Sequence, residues 1–461
     1  MPIIIPANSA VAGGFSVDNS CRFDGSSSKL VKSQSAGNRQ RWTYSVWLKR
    51  CAITSTTTTF FASSGGGNVY SYLGIQSNKI RWLDYDSGNN SNLITTAVFR
   101  DPSAWYHVVF AFNSNLGSGE TDKEERTKLY INGVRVTSFG TAAYAGHNQD
   151  SGVNVNSANF ILSSNQDQSS GSMWNGYMAE AHFIDGTAYQ ADSFGEFDSD
   201  SGVWKPIEVS GLTYGTNGYY LDFKDSANLG NDANGGTDFT ESGLAAIDQT
   251  TDSCTNNFAT LNSIDNGYGT INFTEGNTEG EGGGGGWQPA RGTIGLTSGK
   301  WYWEVNMSGS SQVGVNSVVV DMDNDNSQDL PGTTVFYNAG GGYIRTDGSQ
   351  VGGTVGTGDL NTVFGFALDM DNSKLSVYKT GSIIVTNTAL STSITTIDNA
   401  FTAIPFFCVN GGGEYRVNFG NPSTALDNAG VADGNGYGSF EHTPPTGYLA
   451  ICTKNLSEAN S

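Results

Sequence analysis

The sequence predicts an all-β protein: two tandem β-sandwiches joined by an irregular connector. Three observations carry this. Apolar residues recur with period two, the spacing of a strand that buries one face, and helical spacing is nearly absent. Glycine is abundant at 61 residues and proline sparse at 10, and Ser, Thr and Asn fill the intervals, as in chains of short strands and turns. Aromatics form 11% of the chain against a hydrophobic share of 37%, so large rings must fill the cores. Helix is expected to stay under about a tenth of the chain, and 461 residues suggest two or three domains.

After an arm over 1–14, the first sandwich opens with Phe23-Asp24-Gly25 and a Ser-rich turn. Trp42, Tyr44, Val46 and Leu48 then share one strand face. A second long strand, Trp105 to Phe112, sets Tyr106, Val108, Phe110 and Phe112 together. Lys128 to Ile131 and Val134 to Val136 flank Asn132-Gly133, a hairpin with a type I′ turn, because both turn residues must tolerate positive φ. Gly176 to Gly186 and Asn217 to Phe223 supply further strands. The runs FDGSSSKL, WTYSVWLK, WYHVVFAFN, KLYINGVRV and GYMAEAHFIDG resemble the laminin-G-like and concanavalin A-like jelly rolls, over residues 15–225.

Residues 226–262 lose the apolar period. They are expected to form an ordered connector, anchored by Phe239, Leu244, Phe258 and Leu261. The second sandwich occupies 263–456, with a tail over 457–461. Its guide is the strand after Ser298-Gly299, with Trp301, Trp303 and Val305 on one face and Tyr302 and Glu304 on the other. Glu279 to Gly286 reads as a flexible loop before Trp287. Phe364, Phe366 and Leu368 alternate before a turn at 369–372 and a strand through Leu375 and Val377. The order SGKWYWEV, GFALDMDNSKLSVYKTG, PFFCVNGGGEYRVNFG and TPPTGYLAICTKNL resembles the SPRY domain, a bent β-sandwich whose loops bind varied partners.

With 44 acidic and 23 basic side chains the formal charge is −21. Such a surface repels phosphate backbones and anionic membranes, so neither nucleic acid nor membrane insertion is expected. Five scattered cysteines make no disulfide framework and no Cys-x-x-Cys metal pair. The start, Met-Pro-Ile-Ile-Ile-Pro, lacks the basic and long apolar regions of a signal peptide.

The sequence bears on four chemistries. Glycoside hydrolysis needs two carboxylates on one strand face; Glu180 and His182 share a face, Asp185 takes the other, and the constellation does not form. His107 and His182 are expected to hydrogen-bond within the sandwich. Asp321, Asp323, Asp325 and Asp329 alternate as in calcium loops, but without the glycine and glutamate of an EF-hand; a solvated acidic loop is the competing reading, and no cofactor is required. Gly299-Lys300 is no nucleotide loop, because Trp301 replaces the hydroxyl residue and a strand follows. Glycan binding calls for aromatic faces beside amides and carboxylates. The candidates are Trp82, Asp84, Tyr85, Asp86 and Asn89; Trp174 and Asn175; and Tyr337 and Tyr343 with Asn338. Trp82, between Ile80 and Leu83, also fits a core position.

The sequence from GYMAEAHFIDG through GVWKP and YGTNGYYLDF, a connector ending TNNFATLN, and the second sandwich together resemble tailed-phage virion proteins of the tail-fibre or head-surface adhesion type. The resemblance implies a non-enzymatic protein on the virion surface, made in the host cytoplasm without a signal peptide. Its partners would be other virion proteins, host surface polysaccharide and further copies of itself, a trimer among the arrangements. A purely structural assembly or decoration role is the alternative, and an envelope-polysaccharide hydrolase the third reading. No β-helical or coiled-coil shaft is visible.

Overall fold

In a computed structural model, residues 14–323, 329–392, 394, 402–428 and 430–458 are described. Helix accounts for 6% and strand for 43%, which settles the all-β class. The chain divides into two compact units, one ending at Thr255 and the other beginning at Asn256.

The first unit pairs two antiparallel sheets. One runs, in spatial order, Val134–Arg135, Thr127–Ile131, Trp105–Asn113, Arg41–Arg50, Asn175–Asp185, Ser20–Asp24 and Gln249–Thr250, with Tyr219–Leu221 also on Asn175–Asp185. The other runs Phe139–Ala143, Asn89–Thr95, Lys79–Asp86, Val69–Gln76, Thr58–Ser64, Asn159–Leu162, Lys29–Ser33 and Thr240–Ser242. Alternation turns Trp42, Tyr44, Val46 and Leu48 inward to meet Phe61, Leu73, Trp82, Phe110 and Phe183. Trp47 points the opposite way, into a smaller cluster with Val109 and Trp204. The expected hairpin is present: Val134 pairs with Ile131, and Asn132 and Gly133 have φ of 48° and 76°.

Residues 226–255 are woven into this unit. Thr240–Ser242 and Gln249–Thr250 extend one sheet each, and Phe239 lies in the main core with Leu244 against it. Three buried ion pairs fasten the segment: Arg22 to Asp248 at 3.2 Å, Lys32 to Asp232 at 3.0 Å and Lys49 to Asp252 at 2.7 Å. Phe258 and Leu261 belong to clusters of the second unit.

In the second unit one sheet runs Ile271–Thr274, Glu279–Gly282, Glu414–Asn418, Lys300–Met307, Val363–Asp369, Lys374–Lys379 and Ser382–Ala389. The facing sheet runs Trp287–Arg291, Ala403–Asn410, Ser311–Ser317, Thr333–Tyr337, Tyr343–Thr346 and Ser349–Val351. Trp301, Trp303 and Val305 enter the core, with Trp303 stacked on Phe366 at 5.5 Å. The glycine-rich run corrects the loop expectation: Glu279–Gly282 is a paired strand, and Gly280 lies against the Tyr415 ring, where a Cβ would collide.

Leu449–Ala450 pairs parallel with Trp301 and Tyr302 of the Lys300–Met307 strand, and on that strand's outer face Tyr302 packs on Phe440. Glu304 is buried there. Its carboxylate accepts from the Tyr302 hydroxyl, the Asn418 amide and the backbone N–H groups of Glu441 and His442, at 2.7 to 3.3 Å. Burial outweighs these bonds and pushes its pKa up to about 7.

A Cβ at Gly133 would meet the Trp204 ring in a left-handed backbone, so Gly133→Ala should cost about 1–3 kcal/mol, read as a lowered melting temperature. Glu304 holds its proton more tightly folded than unfolded. Its contribution is therefore complete below about pH 4.5 and disappears as pH rises through about 7, a loss of about 3 kcal/mol. Urea unfolding at pH 5 and pH 8.5 should show that loss in the native protein and not in Glu304→Gln; equal pH dependence in both would remove Glu304 as its source.

Candidate functional site

The candidate residues in the first unit divide according to strand alternation. Trp82 and Asp84 face inward from Lys79–Asp86, while Leu83 and Tyr85 face outward. Trp82 is 1% exposed, packs on Trp42 and Phe110, and donates its indole N–H to Ser91. Asp84 is buried, accepting from Ser71 at 2.6 Å, Gly152 N–H at 2.7 Å and Gln149 at 3.2 Å, and burial pushes its pKa up. Neither can meet a ligand, so both are corrected to core and scaffold roles. Trp174 is corrected likewise: it is 1% exposed, edge-on to Phe60. Asn175 is half-buried and pairs with Asp24 in the sheet. Asp86 is exposed at the strand end, and Asn89 opens the next strand.

Tyr85 keeps its candidacy. Its ring stacks on Tyr70 of the neighbouring strand at 5.0 Å and 17°, and both are only partly buried. Tyr70 had no place among the sequence candidates; its pairing with Tyr85 is a matter of strand register.

The register extends the platform. Tyr85 lies beside Tyr70, Tyr70 beside Ser64, Ser64 beside Asn159, and Asn159 beside Ser33. All five fall on the outward face, since their strand neighbours Trp82, Leu73, Phe61, Phe160 and Leu30 point into the core. The row crosses five strands, about 19 Å at usual spacing, from stacked rings to amide and hydroxyl groups. Ser33 donates to the Asn159 side chain at 3.3 Å. Parallel to it runs an apolar row: Leu83, Tyr72, Ala62 and Ile161, all buried, and the partly buried Val31. Arg81 flanks that row, its guanidinium 5.5 Å over Tyr72 and bonded to Asn92 and Gln76 at 3.2 Å.

Residues 23–192 match the model of the concanavalin A-like lectin/glucanases superfamily. That span contains the whole row. Among solved structures, the chain is similar to a candidate carbohydrate binding protein from Bacteroides ovatus (16% identity, 49% of this chain and 58% of that one, TM-score 0.32). It is similar also to the heptameric SAP-like pentraxin of Limulus polyphemus (15%, 38% and 80%, TM-score 0.29) and to the SPRY domain of human HERC1 (17%, 30% and 87%, TM-score 0.26). No curated protein matches the sequence.

On the opposite sheet of the concanavalin A-like unit, Glu180 and His182 come together. A β-bulge between Ala179 and His182 puts Glu180 at φ 48°. Tyr220 donates to both Glu180 oxygens, at 2.8 and 3.0 Å, and stacks on His182 at 4.2 Å. His182 Nδ1 bonds the Tyr214 hydroxyl at 2.8 Å. Asp185 is held apart, accepting from the Asn38 and Asn217 N–H groups and the Asn154 amide. His107 is buried between Ser45 and Trp204, 2.9 Å from each. Because Nδ1 accepts the indole proton, Nε2 carries the hydrogen, and burial pushes its pKa down to about 3.

In the second unit Tyr337 and Tyr343 meet edge-on at 5.3 Å, with Trp287 at 5.8 Å from Tyr337 and the Arg345 guanidinium 5.8 Å over the same ring. Asn338 is buried, bonded to Gly358. Of the calcium candidates, Asp321 accepts from the Asp323 N–H at 3.0 Å, Asp329 pairs with Arg345 at 2.9 Å, and Asp325 lies outside the described residues. Arg345 thus competes with any cation for Asp329. Among the described residues no group of three His, Cys, Asp or Glu is arranged to hold a metal ion.

The two tryptophans and the tyrosine pair call for opposite outcomes on truncation. Trp174→Ala should cost about 3–5 kcal/mol of stability. Tyr85→Ala, on the partly exposed face, should stay within about 1 kcal/mol. Melting curves of the two variants check this, and equal losses would contradict the assignment of faces.

Proposed function

We propose that this protein is a non-enzymatic adhesion component of a phage virion surface that binds host surface glycans through the outer face of its concanavalin A-like unit. The observation that carries the reading is the Tyr70–Tyr85 stack, standing on a sheet face at the head of a row of hydroxyl and amide side chains. A pyranose ring presents an apolar face and a rim of hydroxyls, and this arrangement offers a complement to each. The formal charge of −21 keeps such a protein from sticking to nucleic acid released around it. Glu180 and His182, at 5% and 1% exposure, are held by the Tyr220 and Tyr214 hydroxyls in the interior of the sheet, which supports binding without hydrolysis. The second unit, with its partly exposed Trp287–Tyr337–Tyr343 cluster, offers a surface for assembly with other virion proteins.

Single sugar contacts are weak, so attachment relies on many copies. The isolated chain should bind host cells feebly and a multimeric display of it about a hundredfold more tightly. Tyr85→Ala should abolish capture by the display while leaving the fold intact. A display that ignores intact host cells and their extracted polysaccharide would instead favour a structural role, and release of reducing sugar on incubation would favour a hydrolase.

A further inference from the structure

The row that begins at Tyr85 ends at Ser33, and Ser33 lines a cleft of about 510 Å3 within the first unit. Its walls are two glycine-bearing turns, residues 215–218 and 234–238, set against the Lys29–Ser33 strand. We propose that this cleft is a second saccharide subsite, and that its ligand is an uncharged glycan segment.

Charge is the first argument. The cation in the wall, Lys32, is neutralised by Asp232 at 3.0 Å, with both side chains buried. Its ammonium also lies 5.5 Å from the rings of Tyr219 and Phe239, on the core side of the wall. Asp232 is occupied in turn by the N–H groups of Tyr220 and Asn234. The anion of the wall, Asp238, accepts from the Asp232 N–H and the Asn228 amide, and those bonds hold its carboxyl below the usual range. Among the described residues that line the cleft, no unpaired cation is therefore offered to an acidic sugar, and the exposed Asp238 carboxylate repels one. Ser33, Ser35, Thr216, Asn234 and Thr237 are all exposed and uncharged.

Rigidity is the second argument. Asn217, 4% exposed, bonds the Ser35 N–H and carbonyl and the Asn154 side chain, tying the 215–218 turn to the segment that follows the Lys29–Ser33 strand. Gly236 runs so close over the Asp232 carboxylate that a Cβ would collide with it. A cleft set by buried bonds loses little entropy on binding, which a weakly held sugar needs.

The inference rests on the glycan-binding reading, and its test separates the two. The full chain in multimeric form is passed over immobilised dextran, mannan and galactan, and over alginate and polygalacturonate. At least one neutral polymer should retain it and neither uronate polymer should. Thr237→Trp and Thr216→Trp, which fill the cleft from opposite walls, should each weaken that retention about tenfold. In the unsubstituted protein, the retained polymer should slow amide exchange over residues 215–218 and 234–238. Preference for the uronates overturns the inference, as does retention with no protection of these turns; the glycan reading survives both. No retention on any polymer, with no binding to host polysaccharide, overturns both together.

Discussion

Trp42 is the contact on which the first unit depends. Its ring meets Phe112 and Phe110 at 5.4 Å from its own sheet side, and Trp82 at 5.4 Å and Phe61 at 6.3 Å from the facing sheet. Once that ring is buried, the register of the Arg41–Arg50 strand is set, because a one-residue slip would carry Trp42, Tyr44, Val46 and Leu48 out to the other face. Each neighbouring strand inherits its facing from the same constraint. Trp82 must point in, and Tyr85, three residues on, must point out.

The outward face thus follows from the inward one. A core filled by large rings leaves the opposite side of the same strands free to carry other chemistry. On the Thr58–Ser64 to Lys79–Asp86 region that chemistry is a stacked tyrosine pair followed by serine and asparagine. On the Asn175–Asp185 strand it is Glu180, His182 and their tyrosines, closed over by the 214–220 segment. Buried ion pairs do a different task. Lys32–Asp232, Arg22–Asp248 and Lys49–Asp252 contribute little net stability against apolar replacements, but each joins residues about 200 positions apart or more, and so specifies where the 226–255 segment returns.

Local pattern made much of the fold legible. The alternating runs around Trp42, Trp105 and Trp301 declared strands and their buried faces, and Asn132-Gly133 declared a turn with positive φ at both residues. Proximity along the chain was a poorer guide to the site. Trp82, Asp84 and Tyr85 look like a cluster in sequence, yet alternation sends the first two to the opposite side from the third. Trp174 in a polar stretch looks exposed, yet Phe60 covers it. Tyr70 and the polar cleft had no local signal, because each depends on register or on pairing across some 200 residues. The glycine run at 279–286 misled for a related reason: glycine marks flexibility in isolation, whereas at Gly280 it admits the Tyr415 ring.

The central claim is that the outward row headed by Tyr70 and Tyr85 meets sugar. It is tested most directly by labelling tyrosine rings and following their resonances by NMR as host polysaccharide fragments are titrated into the full chain. The account predicts that the Tyr70 and Tyr85 signals move with saturable dependence on saccharide, while those of the buried Tyr44 and Tyr219 stay in place. Shifts confined to Tyr337 and Tyr343, or to no tyrosine while the fragments bind, would contradict it.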